Sequence, residues 1–266
     1  MKEKIKNYFS ELKTMKWSPM LAFLFVFRVV CLLIANIVAA KTFVLFSVGK
    51  GAEAFQILMP TAVFLYPFIY VISDVMSEAY SYKVSRLSTW VSFTMNLFMV
   101  LCFEIAIAMP GATDLGVLGS TWFLLIASLL SYMVGAFVDD RVFRKLKYKD
   151  GRKGLLGRCL ISSVCGQLID SAIYLPLGMY LFPLMVFGFP WMTPLQLLIC
   201  VLLQPCIKVI VELIVSPLTK IISKKLLTME LQVGNVYDEK YINIIKETDQ
   251  DIKDIVDTTT IEEIQE

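Results

Sequence analysis

PTAVFLYPFIYVISDVMSEAYSYKVSR, residues 60–86, decides how the chain is read. It opens as a long apolar run, carries Asp74 and Glu78 toward its end, and passes into Tyr80, Tyr82, Lys83 and Arg86. The two acids are four positions apart, so on a helix they share one face. An ionisable side chain in such a run is costly to bury and marks a functional site by default.

The surrounding composition makes this a membrane question. Of 266 residues, 57% are hydrophobic and 18% charged, against roughly half and a quarter in soluble domains. The excess is gathered into long blocks, which is the membrane pattern. There is no histidine, which removes the commonest general base and metal ligand. The cysteines at 31, 102, 159, 165, 200 and 206 form no CxxC pair. They read as small apolar packing residues, with no disulfide framework and no metal site. Residues 1–18, with their mixed MKEKIKNYFSELKTMKW opening, read as a cytosolic lead-in rather than a cleaved signal peptide.

Six apolar segments, about 19–46, 56–80, 88–110, 119–143, 157–182 and 193–222, each reach the roughly 20 residues that span a 30 Å hydrocarbon core. No barrel alternation is present, so the expected fold class is an all-α membrane protein with six transmembrane helices. Lysine and arginine lie before the first span, in the second and fourth loops, and after the sixth. The fourth loop holds Arg141, Arg144, Lys145, Lys147, Lys149, Arg152, Lys153 and Arg158. That asymmetry puts both termini on the cytoplasmic side. Beside two spans, so basic a loop reads as a topology determinant rather than a nucleic-acid site. Residues 19–225 form the membrane domain, and 226–266 read as a flexible acidic cytosolic tail.

The polar residues inside the apolar blocks are the candidate site. They are Arg28, Asn36 and Lys41 in span one, Asp74 and Glu78 in span two, and Asn96 and Glu104 in span three. Asp139 and Asp140 end span four, Gln167 and Asp170 lie in span five, and Gln204, Lys208 and Glu212 in span six. Buried charges must be paired or neutralised, and Lys208 has Asp74, Asp139, Asp170 and Glu212 as potential partners. A plain structural reading makes these inter-helix contacts. The functional reading makes them the wall of a cavity for a hydrogen-bonding solute. Enzyme readings find no support: HExxH, a serine triad, GxGD and a P-loop are all missing, and no catalytic residue or cofactor is assigned. No selectivity filter for a pore is visible either.

At this point four ordered blocks carry a resemblance. YPFIYVISDVMSEAYSYKVSR resembles the D…E.YGYK.AR signature of the queuosine precursor transporter family, also called the vitamin uptake transporter family. ANIVAAK, with Asn36 and Lys41, is similar to the family's first helix. SLLSYMVGAFVDDRVFRKLK is similar to the family's AY..GQ..D...F..L+ block, with Asp139 at the acidic position. SSVCGQLIDSAIYLPLGMY and KVIVELIVSPLTK are similar to its last two helices. The likeness covers about residues 20–225. Ala136 replaces the family's usual glutamine, so no amide contact is placed there, and Ser81 replaces the glycine of YGYK.

The resemblance implies import of a 7-deazaguanine (preQ0, preQ1 or queuine) across a prokaryotic inner or plasma membrane for tRNA queuosine salvage. Asn36, Asp74, Glu78, Asp139, Gln167, Asp170, Lys208 and Glu212 are the expected substrate-binding or coupling residues. Carboxylates can accept the paired N–H donors of a guanine-like edge. Phe68, Tyr70 and Tyr174 are the expected stacking residues, and Lys208 with Glu212 a pair that switches partners. The expected partners are a small 7-deazapurine, the lipid bilayer and, for a standalone carrier, a second copy in a homodimer; nucleic acid is not among them. Two further readings are a substrate-binding subunit of an energy-coupling-factor (ECF) transporter, which would bring an ATPase module, and a scaffold whose polar residues only hold helices together.

Overall fold

Backbone amides in lipid must be paired within their own segment, and the apolar blocks accordingly become helices. The computed structural model describes residues 17–39, 41–48, 55–110, 122–150, 154–246, 249–250 and 252–256. The lead-in at 1–16 and the last ten residues of the tail lie outside them. Helix α1 is Pro19–Ala39, α2 Tyr66–Ala79, α3 Tyr82–Ala108, α4 Trp122–Asp150 and α5 Leu155–Leu175. A π-helical turn, Pro176–Leu181, joins α5 to the short α6, Phe182–Phe187; α7 is Pro194–Gln232 and α8 Glu239–Lys246. Among the described residues, six helical stretches are long and apolar enough to cross a membrane, as expected.

The polarity of the bundle is inverted relative to a soluble protein. Phe23, Phe27, Phe98, Leu101, Ile214 and Ile221 are exposed, while Arg28, Asp74, Asp139, Asp170 and Lys208 are buried. Lipid is the natural solvent for that exterior. The centre is α2, in which every residue except Phe68 is buried. It packs against α7, α1, α3 and α4. Helices α4 and α5 share the most extensive helix–helix contact. They cross at Gly135 and Gly166: a Cβ built on Gly166 would sit 2.8 Å from Asp139 Cβ and 2.9 Å from the Gly135 carbonyl oxygen. Small residues at such a crossing let two membrane helices approach closely.

Several boundaries differ from expectation. Span one does not run to residue 46: α1 stops at Ala39, and Thr42–Val48 (β1) pairs antiparallel with Phe55–Pro60 (β2). The run TFVLFSV is rich in aromatic and β-branched residues, which suits a strand, and its apolarity concealed the change. Span two begins with β2 and a 3₁₀ turn, Thr61–Phe64, so α2 is only 14 residues long. It ends where Tyr80 and Ser81 break the helix; Ser81, extended, accepts from the Val84 amide as the N-cap of α3. Helix α7 is far longer than its apolar core and carries Pro205 and Pro217 within it. Thr193 and Gln196 form a capping box at its start.

The tail also differs. Residues 226–232 continue α7, and α8 packs Tyr241, Ile242 and Ile245 against α1, α2 and the end of α7. This segment binds because its isoleucines and tyrosine share one face. Six crossings bring Pro19 and Gln232 to the same end of the bundle, the α8 end; the β1–β2 hairpin marks the other.

Candidate functional site

The interior polar groups fall into a central cluster and three flanking ones. In the central cluster, α5 and α7 run antiparallel and meet in two rungs. Lys208 Nζ donates to Asp170 Oδ2 at 2.8 Å, and Gln167 Nε2 donates to Glu212 Oε2 at 2.8 Å. Spacings of three on α5 and four on α7 place both rungs on facing sides. Lys208 therefore pairs with Asp170, not with Glu212 on its own helix. Asp74 of α2 and Asp139 of α4 lie close enough to Glu212 for their charges to interact. Tyr70 closes this group from α2, its ring reaching the Gly135–Gly166 crossing.

The cluster is rich in free acceptors. Asp74 Oδ2, Asp139 Oδ1, Gln167 Oε1 and Glu212 Oε1 are buried without a hydrogen-bond partner, as is the Tyr70 hydroxyl. Buried polar atoms are nearly always paired, so these acceptors stand open to donors brought by a solute. Four carboxyl groups face one ammonium. Such a site suits a solute that brings N–H donors or positive charge.

A hydrogen-bonded chain leads into the cluster from the outer helices. Asn96 accepts from Asn36 Nδ2, Ser128 Oγ donates to Asn36 Oδ1 at 2.6 Å, and Ser128 meets the Tyr66 hydroxyl at 3.0 Å. The Tyr66 ring lies 4.6 Å from Lys208 Nζ, a cation–π contact. Asn36 is thus linked to Lys208 through Ser128 and Tyr66, a tyrosine absent from the sequence-based candidates. A second flanking group fixes α1 to α3 and α4. Arg28 donates to the Ser85 carbonyl oxygen at 3.0 Å, to Ser88 Oγ, and to Thr89 Oγ1 at 3.0 Å, while Asp140 accepts from Ser85 at 2.8 Å and Ser73 at 3.3 Å.

The third group seals the α8 end and takes in Glu78. Although Glu78 shares a helix face with Asp74, it does not join the central acids. It pairs with Arg158 of α5 and accepts from the Tyr241 hydroxyl of α8. Arg158 also donates to Tyr241 at 3.1 Å. Lys147 donates to the Ser77 carbonyl oxygen at 2.6 Å and the Glu78 carbonyl oxygen at 3.3 Å, both in the last turn of α2, and pairs with Asp238 at 3.4 Å. A cation there satisfies unpaired carbonyls at the helix C-terminus. Burial and the neighbouring Glu78 carboxylate push the Tyr241 hydroxyl up, so it stays protonated and donates. Lys147 and Arg158, expected as loop charges, are each about 1% exposed; they are buried because α4 and α5 extend past the apolar core and turn them inward.

The aromatic expectations divide. Tyr70 is buried beside the central cluster. Tyr174 packs with Leu124, Met179 and Met192 toward the hairpin end. Phe68 is corrected: it is 43% exposed on the outside of α2 and cannot cover a solute inside the bundle. Of the cysteines, Cys31, Cys159 and Cys200 pack inside, whereas Cys102 and Cys206 lie on the outer surface.

Helix α7 links these features. Its buried face carries Gln204, Lys208, Glu212, Ser216, Thr219 and Ser223. From Gln204 to Ser223 that stripe covers about 28 Å at 1.5 Å per residue, close to the roughly 30 Å thickness of a hydrocarbon core. A line of polar side chains across the membrane, inside a shell of apolar ones, is what a solute path requires.

Comparison with known families gives a match over the same region. The family model described as "Putative vitamin uptake transporter" matches residues 60–222, from the hairpin's last residue through the central stripe of α7. Neither curated proteins nor solved structures gave a match. The matched segment covers more than half of the chain and contains Asp74, Asp139, Asp170, Lys208 and Glu212. The chain is a multi-pass membrane protein belonging to the vitamin uptake transporter family.

Proposed function

We propose that the protein imports a queuosine precursor, a 7-deazaguanine, as a standalone carrier whose α8 end faces the cytoplasm. The observation that carries this reading is the central cluster: unpartnered acceptors on Asp74, Asp139, Gln167 and Glu212 around the Lys208–Asp170 pair. A guanine-like edge offers adjacent N–H donors and a carbonyl oxygen. The carboxyl oxygens accept the former, and Lys208 can donate to the latter. A cationic aminomethyl substituent would add a further partner for the acid-rich wall. The four blocks that resemble queuosine precursor transporters support the same substrate class, and the distribution of lysine and arginine supports the orientation.

Transport in this reading alternates access along the α7 stripe. The Glu78–Arg158–Tyr241 group holds the α8 end shut while the hairpin end receives solute. A solute that displaces Asp170 from Lys208 frees the ammonium to move toward Glu212, four residues on.

The test is rescue in a bacterium unable to make queuosine and lacking its own importer. Cells carrying the gene are supplied with preQ0, preQ1 or queuine separately, and queuosine in tRNA is measured. Restoration by one of them, lost in Asp170→Asn, is the expected result. No restoration by any, with the protein present in the membrane, overturns the proposal as stated.

A further inference from the structure

A pocket of about 130 Å³ opens at the hairpin end, beyond the central cluster. Its lip is the first pair of the hairpin, Thr42 opposite Pro60. Its walls are Ala39, Leu124, Met179, Met192 and Trp191, and at its side stands Gln204. Gln204 is 1% exposed, and its Nε2 donor has no partner.

The walls are built to hold position. Met179 lies in the π-helical turn, and its carbonyl oxygen accepts from the Trp191 amide at 3.1 Å. π-Turns within helices recur at functional sites. The Trp191 ring is stacked on Phe187, with centroids 5.7 Å apart, and meets the edge of Phe123 at 5.4 Å. One rigid aromatic wall, two thioethers and a single buried amide donor make a site for a flat ring: sulfur–aromatic contacts are favourable, and one polar group in an apolar pocket sets orientation. The volume is close to that of the engineered cavity of roughly 150 Å³ that takes up benzene. It fits one six-membered ring, with the remainder of the solute at the mouth.

We infer that this pocket is a loading site, separate from the central cluster, which binds one six-membered heteroaromatic ring through the Gln204 amide before the solute meets Lys208. Gln204 and Lys208 are one helical turn apart, about 6 Å along the axis, and both lie on the buried face of α7. Gln204 donates to a ring carbonyl or ring nitrogen, and release inward passes that acceptor to the Lys208 ammonium. The inference deepens the carrier reading and rests on it for the order of events, but not for the existence of the pocket.

The experiment uses the full chain with Trp17, Trp90 and Trp122 replaced by Phe, leaving Trp191 as its sole tryptophan. Quenching of Trp191 fluorescence is titrated with 7-cyano-7-deazaguanine and with a panel of pyridine- and pyrimidine-ring vitamins. Saturable quenching is expected, weakened about tenfold by Gln204→Leu, the loss of one buried hydrogen bond, and retained in Asp170→Asn. Radioligand binding to the chain with its native tryptophans, with and without Gln204→Leu, gives the same answer should the triple variant fail to fold. Uptake of a 7-deazaguanine with no Trp191 response and no effect of Gln204→Leu overturns the loading site and leaves the carrier reading standing. A Gln204-dependent response to another ring, with none to 7-deazaguanines, upholds the pocket and overturns the substrate.

Discussion

Replacing Lys208 by Met leaves Asp170 buried without its cation. The pair is 2.8 Å long, and its two side chains are 3% and 5% exposed. Breaking a buried pair on one side costs about 3–5 kcal/mol, whereas replacing both partners by neutral residues of similar size is often neutral or stabilising. Lys208→Met should therefore lower the melting temperature of the detergent-solubilised protein by on the order of 10 °C, and Lys208→Met with Asp170→Asn should recover most of it. If the pair serves transport, the doubly substituted protein is stable and silent: folded in the membrane, with uptake below one hundredth of the parent. The two measurements are thermal unfolding followed by size exclusion, and solute accumulation in vesicles. Parental uptake by the stable double variant would refute the reasoning, because the pair would then only hold α5 to α7.

Four other outcomes follow from the geometry. Gly166→Ala places a methyl 2.8 Å from Asp139 Cβ and 2.9 Å from a backbone oxygen; the helices must part, at a cost of about 1–3 kcal/mol, read as a lower melting temperature. Tyr241→Ala removes the hydroxyl shared by Glu78 and Arg158; buried Cys159 should then label with a membrane-permeant maleimide, and not in the parent, both in a background lacking the other cysteines. Phe68→Ala, on the outside of α2, should leave uptake within twofold of the parent, whereas Tyr70→Ala, at the α4–α5 crossing, should reduce it at least tenfold. Asn36→Leu should raise the KM for uptake, since Ser128, which meets the hydroxyl of the Tyr66 that lies beside Lys208, loses its acceptor.

The six helices were legible because lipid imposes a length and a hydrogen-bonding rule that composition alone reveals. The hairpin was not, since β1 is as apolar as the helix before it, and hydropathy carries no information on period within so short a run. Asp170 and Lys208 could be named from their isolation in apolar blocks; their pairing could not, because it depends on the antiparallel packing of α5 and α7. The acids of α2 were misjudged as a unit. Shared facing placed Asp74 and Glu78 on one side of the helix, but eight further residues of α4 beyond Asp139 bring Lys147 to that level, and the start of α5 brings Arg158. Both looked like loop charges in a cluster of eight. Gln204 was visible as an intramembrane amide, but only the fold sets it beside Trp191, and Tyr241 had as its signal only the shared face of a short segment in a polar tail.

The central claim, a polar path through a standalone six-helix carrier, is tested most directly by purified protein in liposomes containing no ATP and no other protein. A labelled 7-deazaguanine is placed outside, with and without an imposed proton gradient, and its accumulation is measured over time. Saturable uptake by the parent is expected, and none by Asp170→Asn reconstituted to the same density. Binding without uptake by the pure parent, with transport appearing only after an ATPase module is added, would contradict it.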